Sequence, residues 1–175
     1  MLQNLFRSRP RARAGEALYE LAVRQAREPA FYTRMGVEDR IDARFELYTL
    51  HVLLLVMRLR DGGERGTEAA QELFDTYVSA LDHALRELGG GDISVGKKMR
   101  KLGEAMYGRM TAYEPPLRTG DVEALAAGLA RNVFESDDPA AGRALAAYAV
   151  DSRAQLAAQS LEAASKQPDW AEIPA

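Results

Sequence analysis

The residues most able to do chemistry are few, and their spacing limits what they can do. Gly91 to Lys97 reads G-D-I-S-V-G-K, the outline of a phosphate-cradling loop. Such a loop needs a strand before it, and a Ser or Thr directly after the lysine to hold Mg²⁺. Here a helical pattern precedes it and Lys98 follows, so the segment reads as a glycine linker into a capped helix. The two histidines, His51 and His83, have Tyr48 and Ala80 three positions earlier. That excludes the Glu-x-x-His pairs of carboxylate-bridged metal centres in helical bundles. Cysteine is absent, which removes disulfides, thiolate metal sites and a cysteine nucleophile. The one adjacent aspartate pair, Asp137-Asp138, sits where a helix cap explains it, not as one of the paired clusters that hold Mg²⁺ and a diphosphate. Asp39, Asp42 and Glu46 share a helix face with Arg40 and Arg44, an ion-pair ladder. His51 lies in the most apolar stretch of the chain. It reads as a core histidine with a satisfied hydrogen bond, the alternative being a polar contact to a partner. No catalytic residue, metal or cofactor is expected.

A cluster of bases is the feature that remains. Lys97, Lys98, Arg100 and Lys101 occupy a turn and a half of one predicted helix, with Tyr107 and Arg109 further along. Val95, Met99, Leu102 and Met106 take its inward stripe, so the bases face outward. Such a face suits an acidic protein surface, RNA phosphates or lipid headgroups, or is simply solvated. Met99, Met106 and Met110 either fill the core or form an adaptable surface for apolar helices. Charge is segregated: residues 119–175 carry nine acids against four bases, while residues 86–109 carry six bases against three acids.

Helical periodicity positions these residues. A first helix is expected over 14–28, ended by Pro29, then an aromatic connector turning at Gly36. A second helix over about 38–60 is apolar on nearly all sides, as a central buried helix should be. Thr67 is expected to cap a third, stopped by glycines 89–91, and Asp92 or Ser94 a fourth, ended by Pro115 and Pro116. Asp121 opens a fifth and Asp138-Pro139 a sixth. No segment alternates with period two. The expected fold is all-α: one helical domain, residues 14–165, of about six main helices. A basic disordered arm (1–13) and a frayed tail (166–175) flank it.

A chain of 175 residues suffices for one such core. The longest weakly polar stretch, Leu47 to Met57, is too short for the roughly 20 residues of a bilayer span. The opening MLQNLFRSRPRARA has four arginines but no apolar signal core. The net charge of the whole chain, −3, is too mild to imply nucleic acid by itself.

Three blocks in order carry a resemblance: FYTRMGVEDRIDARFELYTLHVLLLVMRLR (31–60), AQELFDTYVSALDHALRELGGGDISVGKKMRKLGEAMYGRMTAY (70–113) and GDVEALAAGLARNVF (120–134). Their most specific positions are Arg44-Phe45 with Leu50-His51, then Asp92, Val95, Gly96 and the two lysines after it, then Tyr107-Gly108-Arg109 and Tyr113. Together, over about residues 16–165, these resemble the ubiquinol–cytochrome c chaperone family. The resemblance implies a non-enzymatic chaperone whose client is newly made cytochrome b. Mitochondrial members also work near the ribosomal tunnel exit with a small helical partner. The chain lacks a long presequence, so a bacterial, cytoplasmic member at the inner face of the membrane is expected. The ribosome and the anionic membrane surface are candidate contacts; DNA and a small-molecule substrate are not. A generic helical interaction module without a respiratory client is the alternative.

Overall fold

The computed structural model describes residues 8–87 and 92–174, with side chains over 14–87 and 96–174. Every regular element among them is helical: α1 (Ser8–Ala26), α2 (Pro29–Thr33), α3 (Ile41–Arg60), α4 (Gly63–Glu87), α5 (Asp92–Thr119), α6 (Val122–Val133), a 3₁₀ turn (Pro139–Gly142), α7 (Arg143–Ala158) and α8 (Leu161–Lys166). The all-α reading and its central apolar helix both hold.

α3 is the axis of the domain. Every residue from Thr49 to Leu59 is buried, so apolar side chains leave the helix in all directions and α1, α4, α5, α6 and α7 pack around it. Each fully buried leucine there contributes roughly 1.5–3 kcal/mol relative to an exposed one. Two glycines set how closely helices approach. A Cβ on Gly66 would stand 1.8 Å from the Leu59 carbonyl, and one on Gly142 would stand 2.2 Å from that of Ala126. Only a residue without a side chain lets α4 cross the end of α3, and the 3₁₀ turn rest on α6, at that distance.

Several boundaries move from their sequence expectations. α1 starts at Ser8, so residues 8–13 of the expected arm are helical; residues 1–7 lie outside the described part. The aromatic connector contains α2, started by Pro29 at its first position. α4 begins at Gly63 rather than at a Thr67 cap, and the Thr67 hydroxyl donates back to the Gly63 carbonyl at 3.0 Å. α5 runs through Pro115 and Pro116 to Thr119 instead of stopping at them. Tyr113, Pro116 and Leu117 are buried there, and that packing outweighs the helix-breaking tendency of proline. The glycines 89–91 lie outside the described residues.

The C-terminal segment, expected to fray, is held. Ser160 caps α8 by accepting from Ala163 N–H at 3.1 Å. The Ala171 N–H donates to the Ser152 hydroxyl at 3.1 Å, and the Trp170 ring meets His51 edge-on at 5.2 Å between centroids.

Candidate functional site

The basic cluster sits on α5 as expected. Lys97, Lys98, Arg100 and Lys101 are all exposed and have no ion-pair or hydrogen-bond partner among the described residues. They stand on the part of the α4–α5 pair that clears the core: between Val78 and Ala105 no described residue is buried, whereas Tyr77 and Met106 are. Asp92 and Val95 lie in the first turn of α5, with side chains outside the described residues. A Cβ on Gly96 or Gly108 would meet nothing within 4 Å, so neither glycine is there to make room for a neighbour in this chain.

Arg109 does not belong to the open basic face. It turns inward and donates to both oxygens of Glu46 on α3, at 2.7 Å from Nη2 and 3.1 Å from Nε. Glu46 is only 5% exposed, and burial pushes its carboxyl above the usual range while the Arg109 guanidinium pulls it back. The pair joins α5 to α3.

Beside Tyr107 opens a groove of about 340 Å³ between α3, α4 and α5. Val56, Ala70, Phe74 and Met110 form its apolar floor and walls; Arg60, Thr67 and Gln71 lie at its polar edge, with Tyr107 75% exposed on α5. The exposed lysines lie on the same helix, two to three turns N-terminal of Tyr107. An apolar trough with unpaired cations further along the same helix can take an apolar helix whose ends or neighbours are anionic.

The remaining motif positions lie in the core, at its edge or in a surface ion pair. His51 is fully buried. Its Nδ1 lies 2.7 Å from the Leu47 carbonyl and must donate there, so Nε2 accepts from the Tyr148 hydroxyl at 2.9 Å. Burial lowers its pKa to about 4, so it is a neutral core histidine. Phe31, Tyr148 and Trp170 surround the imidazole at 5.2–5.7 Å between centroids. Tyr113 is buried over Gly128, where a Cβ would come within 2.8 Å of the ring. Its hydroxyl accepts from Asn132 at 2.7 Å, and burial pushes it up to about 12. Arg44 is exposed and pairs with Asp39 at 2.6 Å, and Phe45 is half-buried beside the core.

The sequence left Met110 open, as core or as part of an adaptable surface for apolar helices, and did not say which surface forms a groove. A period of 3.6 says which face is apolar but not whether a neighbour covers it. Met110 lines the open trough with Phe74 and Tyr107. The exposed tyrosine amid a basic face was the available signal.

The model of the ubiquinol-cytochrome C chaperone family matches residues 33–170. The chain belongs to that family. A Xenopus laevis protein described as ubiquinol-cytochrome-c reductase complex assembly factor 1 is 22% identical over 124 residues, or 70% of this chain. The match spans 62% of that relative's own length. The crystal structure of the Cbp3 homolog from Brucella abortus superposes with a TM-score of 0.83 at 34% identity, covering 99% of this chain and 98% of that one. Among the described residues, no helix is long and apolar enough to cross a membrane.

Proposed function

We propose that this protein is a non-enzymatic assembly chaperone for ubiquinol–cytochrome c reductase, holding an apolar helix of newly made cytochrome b in the α3–α4–α5 groove. The observation that carries the reading is an open apolar groove lined by Tyr107 and Met110 of α5, the same helix that carries the exposed Lys97, Lys98, Arg100 and Lys101 nearer its start. Family membership and the assembly-factor relative support it. A membrane subunit before insertion exposes helices that aggregate in water. Phe74, Tyr107 and Met110 provide a helix-in-groove seat for one of them. The lysine face keeps the complex beside anionic lipid, or ribosomal RNA, until release. The protein works peripherally, at the inner face of the cytoplasmic membrane, and binding is reversible because the client must pass on to the bilayer.

The test uses the full chain and in-vitro-translated cytochrome b. Phe74→Asp is expected to reduce co-purification of the client with helicity retained. Charge reversal at Lys97, Lys98 and Lys101 is expected to weaken co-sedimentation with anionic vesicles or ribosomes at low salt. Client capture unchanged by Phe74→Asp refutes the groove, and co-sedimentation unchanged by charge reversal refutes the basic flank.

A further inference from the structure

Two features of α5 weaken it as a helix, and little in its packing offsets them. Gly103 and Gly108 stand in its interior, and a Cβ at either would meet nothing within 4 Å, so no neighbour requires a glycine there. Glycine in a helix interior loses more conformational freedom on folding than alanine does. The bases add repulsion. Lys97 stands at helical spacing from Arg100 and Lys101, and Lys98 from Lys101, so three like-charge pairs share one turn and a half. Glu104, one turn on from Arg100 and Lys101, makes no ion pair with either among the described residues. From Gly96 to Ala105 no residue is buried, so apolar packing does little to hold this stretch shut. The hold begins directly beyond it. Met106 is 2% exposed, Arg109 is tied to Glu46 of α3 at 2.7 Å, and Met110 packs against the core.

We infer that α5 from Gly96 to Ala105 opens locally while the rest of the domain stays folded, and that neutralising its four bases closes it. Local opening requires a stretch with few buried contacts beside one with many, and Met106 with the Glu46–Arg109 pair supplies that boundary. Tyr107 lies at the boundary and walls the α3–α4–α5 groove. In an α-helix its N–H bonds to the Gly103 carbonyl, so an opening that takes Gly103 also loosens Tyr107. Met110 reaches back to the buried Met106 and stays in place. An anionic surface on Lys97, Lys98, Arg100 and Lys101 removes their mutual repulsion and so firms the groove wall at Tyr107. That consequence for the groove rests on the client reading given above; the local opening rests on α5 alone.

Amide hydrogen exchange of the full chain in low urea reads the opening without any client. Amides of residues 100–105, and that of Tyr107, are expected to exchange at rates nearly independent of urea. Those of the buried Leu53, Leu54 and Leu55 in α3 should follow the steeper slope of global unfolding. Gly103→Ala should slow exchange at 100–105 about fourfold, the helix-propensity difference between the two residues. Lys97→Gln/Lys101→Gln, which removes all three repulsive pairs, should slow it about threefold. Sodium chloride at about 1 M should slow wild type to a similar extent by screening, and the double variant should no longer respond to it. One urea slope shared by the α5 and α3 amides overturns the local opening. Exchange unmoved by both the charge variant and the salt overturns closure by neutralisation. Client capture does not enter these rates, so this inference and the client reading fail separately.

Discussion

His51 makes the stability of this protein depend on pH through a single buried imidazole. Its partners are the Leu47 carbonyl and the Tyr148 hydroxyl, the rings around it are Phe31, Tyr148 and Trp170, and none carries charge. Nothing in the pocket compensates a proton, so the native pKa falls from 6.5 to about 4. Between these values the unfolded chain binds the proton and the folded one does not, so stability drops as pH is lowered through that window. The two-pKa linkage relation gives a loss of about 2 kcal/mol between about pH 7 and about pH 5, and roughly 3 kcal/mol by about pH 4. For a domain of this size, 2 kcal/mol is roughly 4–8 °C in Tm. The assay is urea unfolding of wild type and His51→Gln at the two pH values. Glu46, raised by burial, acts in the opposite direction but is common to both proteins and cancels in their difference. His51→Gln is expected to be less stable at neutral pH and to lose about 2 kcal/mol less than wild type on acidification. Equal losses in the two proteins would show that the imidazole is not held neutral by its pocket.

Arg109→Met should cost about 3–5 kcal/mol by stranding the buried Glu46, with much of that recovered in the Arg109→Met/Glu46→Gln double variant; a double-mutant cycle in urea checks it. Gly66→Ala and Gly142→Ala should destabilise by more than about 2 kcal/mol, because their clashes are with backbone carbonyls. Gly103→Ala, facing open space in α5, should instead stabilise by about 0.5–1 kcal/mol, and melting temperatures separate the two signs. Trp170→Ala should cost about 2–3 kcal/mol and move the His51 pKa upward as water reaches the ring, which imidazole proton NMR follows.

The helical class, the central α3 and the outward position of Lys97, Lys98, Arg100 and Lys101 were legible in the chain because each follows from local periodicity. A run of apolar residues on every side of a helix has only one place to go. On α5, by contrast, only Met106 is buried among the described residues of the expected inward stripe, while Met99 and Leu102 are half-buried because that part of the helix clears the core. The identity of Arg109 as a core-facing partner of Glu46 was not legible, since a residue 63 positions away decides it. The same holds for Pro115 and Pro116 inside α5, where burial of Tyr113 and Leu117 overrides local propensity. The tail around Trp170 has little periodicity of its own and is ordered by docking on His51 and Ser152. Covering or leaving open an apolar face is a relation between helices, so the groove at Phe74 and Tyr107 exists only once those helices have packed.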